Sequence, residues 1–185
     1  MLASWCEERC WQAGVRRDAE AARETYGPIS IWNTSEATNM KRLFCGHSDC
    51  DGYEAAEDFN EDTSRWDVSN VTTMAYMFNY ACAFNGDLSS WNVSNVTTMK
   101  TMFCEAFAFN GNLSSWDVSN VTDMSWMFGR AEAFNGDLSS WDVSNVTTME
   151  MFCEAKAFDK DTIKNWELKG KDTVGMFEAS DAFFY

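Results

Sequence analysis

The residues with most chemistry in them crowd toward one end of the chain. Cys45, His47 and Cys50 form a C-x-H-x-x-C cluster, and Cys6 and Cys10 precede it. Thiolates and an imidazole could close around zinc. The spacing matches no standard zinc pattern, however, and His47 is the sole histidine of the chain, so a disulfide-stapled loop is the preferred reading. No metal and no cofactor is expected. Elsewhere there is no serine, histidine and acid set, no glycine-rich phosphate loop, and the acids are spread evenly along the chain. The expectation is a protein that is not an enzyme.

The remaining polar chemistry comes in rows. Asn70, Asn95, Asn120 and Asn145 open N-V-T sequons, and Asn33, Asn92 and Asn112 open three more. The N-V-T asparagines sit before apolar runs of helical spacing and read as helix N-caps, which leaves Asn92 and Asn112 as the accessible glycan acceptors. Asp67, Asp117 and Asp142 repeat in phase with Ser90, Ser115 and Ser140. Such a row could bind calcium, but a solvated face is the simpler reading. Tryptophans at 66, 91, 116 and 141 would suit a sugar platform if exposed, yet their phase with Leu88 and Val93 assigns them to the core. The methionines fill the same interior.

What positions these rows is a repeat. Trp66, Trp91, Trp116, Trp141 and Trp166 follow one another at 25-residue intervals, the signature of a stacked architecture. Within one unit, Leu88, Trp91 and Val93 alternate as a short strand would. Val96, Met99, Met102, Phe103 and Ala106 then recur at three- and four-residue spacing, which predicts about two turns of helix. Asn110-Gly111 turns the chain into the next unit.

The string W-D-V-S-N-V-T-x-M-x-x-M-F-x-x-A-x-A-F-N-G-D-L-S-S resembles the BspA-like surface-protein repeat, a relative of leucine-rich repeats found in bacterial surface proteins and marine microalgae. The resemblance covers residues 29 to 185. It implies an α/β solenoid, a right-handed leucine-rich-repeat-like stack of about six coils with short parallel strands and short helices. Coils start near Trp32, Trp66, Trp91, Trp116, Trp141 and Trp166. No shared activity is implied.

The ends differ from the middle. Trp11, Val15, Ala19, Ala22 and Tyr26 lie on one helical stripe that Gly27 and Pro28 stop, so residues 1–28 read as an N-terminal capping helix. In the first coil Phe44 and Phe59 are 15 positions apart where Phe78 and Phe84 are 6 apart, an insertion of nine residues within 45–58. Cys45, Cys104 and Cys153 share a column two coils apart, too far for bonding to one another, and are expected as free thiols. Cys6 or Cys10 is then expected to pair with Cys45 or Cys50. At the other end the sixth coil carries Lys171 in a valine column and offers an uncapped edge for end-to-end contact.

Composition sets the limits. With 185 residues, 45% hydrophobic, the chain suits one ordered domain. A net charge of −15 argues against nucleic acid as partner, and no run is long enough to span a bilayer. Disulfides favour an extracellular, cell-surface or lumenal compartment. Residues 1–10 lack the apolar stretch of a signal peptide, so this numbering is expected to start after processing.

The coils are so alike that a partner must read their differences. Tyr76, Tyr80, Phe107, Trp126, Arg130 and Glu132 occupy the variable columns, and aromatics and arginine anchor interfaces. The sequence therefore predicts a protein-binding or adhesion module acting through these residues. The alternative is a structural scaffold subunit within a larger complex.

Overall fold

The computed structural model describes residues 24, 27–50, 56–171 and 173–177. The expected capping helix, with Cys6 and Cys10, lies outside these residues.

Within them the unit is not a strand and a helix. Isolated parallel bridges link Asn39 to Thr73, Thr73 to Thr98, Thr98 to Asp123 and Asp123 to Thr148. The complete helical elements are two short 3-10 turns, Ile29–Ile31 and Lys160–Ile163. The expected α/β solenoid is therefore corrected: each 25-residue unit is a succession of four-residue turns. In the third coil the amides of Trp91, Val96, Met102, Ala106 and Phe109 donate to the carbonyls of Leu88, Val93, Met99, Phe103 and Ala106. All of these residues are buried. A β-turn whose first and fourth residues are apolar points both inward, so two turns placed end to end give i, i+3, i+4, i+7. Met99, Met102, Phe103 and Ala106 have that spacing, which is also the spacing of one helix face. The pattern was real; its cause was turns. The bridges, moreover, fall in the stretch that reads as helix, whereas the expected strand Leu88–Val93 is a turn followed by coil.

The coils lie one on the next, joined by a backbone ladder that runs mostly one way. Met74, Tyr76, Phe78 and Tyr80 donate to the carbonyls of Thr98, Lys100, Met102 and Cys104, while the intervening Met77, Asn79 and Ala81 donate within their own coil. Met99, Thr101, Phe103 and Glu105 repeat this toward Asp123, Ser125, Met127 and Gly129. Such a division of amides needs special backbone angles. Tyr76, Thr101 and Trp126 have φ of 61°, 57° and 58°, and Tyr80, Glu105 and Arg130 have 58°, 58° and 54°. Each is the third residue of its turn, where φ above zero ordinarily calls for glycine or asparagine.

Three aromatic columns fill the interior. Trp66, Trp91, Trp116, Trp141 and Trp166 stack at 6.4–6.5 Å with planes within 8°. Phe78, Phe103, Phe128 and Phe152 form a second column at 5.6–5.8 Å. Phe84, Phe109, Phe134 and Phe158 form a third at 5.9 Å. Trp91, Trp116 and Trp141 are 3–4% exposed, which removes the sugar platform. Each indole Nε1 is satisfied by a backbone carbonyl 28 residues earlier: Thr63, Leu88 and Leu113 respectively. One position of the leucine column holds Thr63, whose buried hydroxyl has no partner.

The polar rows are ladders too. Asn70, Asn95, Asn120 and Asn145 do not cap helices; their Nδ2 atoms donate at 2.7–2.8 Å to the carbonyls of Ser35, Ser69, Ser94 and Ser119 in the preceding coil. Thr72, Thr97, Thr122 and Thr147 donate their hydroxyls likewise to Thr38, Thr72, Thr97 and Thr122. Asn120→Ala is accordingly expected to destabilise by about 1 kcal/mol, through a lost contact between coils. Urea denaturation checks it, and an unchanged midpoint would mean that water replaces the bond without loss.

The shortened fifth coil keeps phase at a local cost in regularity. Met151 N donates to Met149 O, and the residue missing between Glu150 and Met151 is the one that would be left-handed. Lys160–Ile163 restores the length, with Asp159 accepting from Asp161 N as its cap. In the sixth coil Lys171 turns its ammonium onto the carbonyls of Ser144 and Val146, at 2.8 and 2.7 Å, where a valine would have packed inward.

Candidate functional site

The outward aspartates of the repeat are turn residues. Asp87, Asp117, Asp137 and Asp142 each accept from the amide of the serine two residues on, and Asn33, Asn92 and Asn112 make the same bond to Ser35, Ser94 and Ser114. Hydrogen bonds from these serines hold the carboxyls below the ordinary carboxylate range. The serine hydroxyl is the larger cause for Asp62, Asp67 and Asp117, and the amide for Asp87, Asp137 and Asp142. A depressed folded-state pKa stabilises above the unfolded value and is lost as pH falls through the folded one. Stability should thus fall below about pH 4. Replacing Asp87, Asp117, Asp137 and Asp142 together by asparagine keeps the turns and should flatten that acid limb. Melts at several pH values between about 5 and 3 check this, and an unchanged slope would place the acid sensitivity elsewhere.

The candidate residues sit where coils differ, and the structure resolves them into three rows. One row is Arg42, Tyr76, Thr101 and Trp126 on successive coils. The Arg42 guanidinium lies 5.3 Å from the Tyr76 ring centroid, and Trp126 Nε1 donates to Glu150 Oε2 at 3.2 Å. The second row is Tyr80, Glu105, Arg130 and Glu154. Arg130 donates to the nearly buried Glu105 at 2.7 Å and reaches Glu154 at 3.4 Å. The Tyr80 hydroxyl, hydrogen-bonded to Glu105, is pushed up to about 12, first by burial and then by that carboxylate; its ring meets His47 edge-on at 4.9 Å. The third row holds Cys82, Phe107, Glu132 and Lys156, with Lys156 bonded to Glu132 at 2.5 Å. Tyr76 and Trp126 therefore share a row with Thr101 between them, and Phe107 belongs to another row. Tyr80 and Arg130 are joined through Glu105.

Between the first two rows runs a buried column of Cys45, Asn79, Cys104, Gly129 and Cys153. Burial pushes the Cys104 thiol up to about 12 and raises Cys153 as well, so neither is a nucleophile near neutral pH. Gly129 is required by crowding: a Cβ there would lie 2.7 Å from the Trp126 ring and 3.4 Å from Cys104 Sγ.

The cysteine expectations need one correction. Cys45 and Cys50 bond to each other, with Cα atoms 6.0 Å apart, so Cys45 is not a free thiol and neither is paired with Cys6 or Cys10. The insertion separates them by enough chain for a local bridge, a short loop that column spacing alone does not suggest. Cys82, Cys104 and Cys153 are free thiols. The bridge favours an oxidising compartment. Among the described residues no helix is long and apolar enough to cross a membrane.

Sequence reasoning found the variable residues but missed their backbone. Left-handed angles announce themselves through glycine and asparagine, and these columns hold tyrosine, threonine, tryptophan, arginine and glutamate.

No curated protein and no solved structure matches the chain. A family described as "Mycoplasma protein of unknown function, DUF285" matches residues 19–106 and again 90–184. These matches span nearly the whole chain in two overlapping sets of repeats, and the chain belongs to that BspA-like repeat family.

Proposed function

We propose that the chain is a non-enzymatic protein-binding module, working as an adhesion repeat that docks a protein through the left-handed rows. The observation that carries this reading is where variation falls. The ladder and Asx-turn positions repeat nearly unchanged from coil to coil, whereas Arg42, Tyr76, Thr101 and Trp126, and Tyr80, Glu105, Arg130 and Glu154, change at every level while holding a backbone angle that disfavours most of them. Large side chains kept at strained backbone angles, all but Glu105 of them exposed or partly exposed, suit recognition better than they suit folding.

Trp126→Ser tests it. Binding to a natural partner isolated with the chain should weaken about 30-fold or more, while the urea midpoint moves little, since Trp126 is only half-buried. If the complex survives this change and is lost on altering Asp117 or Ser115, the Asx-turn face is the functional surface. The scaffold reading draws on the uninterrupted aromatic columns, which stiffen the stack. It expects the chain to stay soluble only with its neighbours.

A further inference from the structure

The face that carries the left-handed rows has a charge order along the stack. Its five levels are 39–46, 73–80, 98–105, 123–130 and 148–154. The first level presents the exposed Lys41 and Arg42, and the third Lys100. The fourth presents Asp123 beside the exposed Arg130, so its charges offset, and the fifth presents Glu150 and Glu154. Between the ends, Tyr76 stands on the second level and Trp126 on the fourth, each one level from Thr101, as the ladder bonds from Tyr76 N to Lys100 O and from Thr101 N to Ser125 O place them. A half-turn about an axis that lies in the face, passes through Thr101 and runs across the stack sets two copies face to face and opposes first with fifth levels and second with fourth. It brings Lys41 and Arg42 onto Glu150, and Tyr76 onto Trp126.

We propose that this face binds a second copy of the chain in an isologous, two-fold dimer. The proposal rests on reading the left-handed rows as a docking surface and names what docks there. A self-complementary patch is what two-fold association requires: one surface that is its own partner when reversed. Opposite charges meet at both ends, and the two aromatic residues meet on either side of the axis. Five levels at sheet spacing span roughly 20 Å, a small interface. Its dissociation constant should lie on the order of tens of micromolar. Lys100 is the exception to the complementarity. It lies on the level that the axis crosses, so it faces its own symmetry mate directly across the interface and repels it.

Sedimentation equilibrium of the full chain, up to about 1 mM and at low and high salt, reads the result. The wild type should dimerise, more weakly in high salt. Lys41→Glu and Glu150→Lys, each alone, should weaken the dimer at least tenfold, because the first sets a carboxylate against Glu150 and the second an ammonium against Lys41 and Arg42. The two single variants mixed should associate with each other, and the double variant should recover self-association, because reversing both ends restores complementarity. Lys100→Ser should tighten it severalfold. A wild type that remains monomeric at 1 mM, a double variant as weak as the singles, or a dimer indifferent to all of these changes overturns the proposal. If self-association fails while Trp126→Ser still abolishes binding of another protein, the docking reading stands and only the second copy is wrong.

Discussion

Trp116→Ala is expected to destabilise the chain by about 4 kcal/mol, near the upper range for deleting a buried ring. Trp116 is 3% exposed, stacks on Trp91 at 6.5 Å and on Trp141 at 6.4 Å, and approaches Phe103 at 6.4 Å. Removal opens a void in the middle of a column whose neighbours are fixed by their own ladder bonds, so the site cannot collapse to fill it. It also leaves the Leu88 carbonyl without the indole donor that reaches it at 2.9 Å. Trp116→Phe separates these two losses. A phenyl ring keeps most of the column but donates nothing, so its cost should be about 1–2 kcal/mol, from the loss of one of the two bonds to a buried carbonyl that keeps the Trp91 amide, with a modest packing defect. Urea titrations followed by tryptophan fluorescence measure both. If Trp116→Ala costs under about 2 kcal/mol, the columns contribute less than ring burial implies, and the backbone ladder must hold the coils together largely alone.

This residue also shows what was readable from sequence. The 25-residue period fixed which residues stack, and the inward phase of Trp91 with Leu88 and Val93 fixed which side they face, because both follow from hydrophobic spacing alone. The conformation between them was not readable. Met99, Met102, Phe103 and Ala106 present identical spacing whether the backbone is one helix or two turns in series, so periodicity cannot separate the two. Asn95 misled in the same way: an asparagine before an apolar run suits a helix cap, but equally suits a side chain that donates to Ser69 of the coil before. The left-handed rows were visible as variable columns. Their grouping was not, because the residues that join them, Thr101 and Glu105, look unremarkable in a list of variable positions.

Position 101 distinguishes turn from helix by the sign of a substitution. Thr101 has φ 57°, donates its amide to Ser125 O at 2.8 Å, and is β-branched, the side-chain type least suited to that angle. A left-handed residue with a Cβ is strained by about 1–2 kcal/mol, and glycine removes that strain while adding chain entropy to the unfolded state. Thr101→Gly should therefore stabilise, by about 0.5–1 kcal/mol net. Were the segment helical, the same change would cost a few tenths of a kcal/mol. Thr101→Pro acts the other way. Proline locks φ near −65°, on the wrong side of zero, and lacks the amide that the ladder uses, so about 4 kcal/mol or more should be lost. The two variants thus bracket a span of roughly 5 kcal/mol at one site, with glycine above the wild type. Measured by urea denaturation, a destabilising Thr101→Gly would refute the strained left-handed turn. A stabilising one would show that the rows carry residues the fold itself disfavours, and would leave recognition as the reason that threonine, tyrosine and tryptophan stand there.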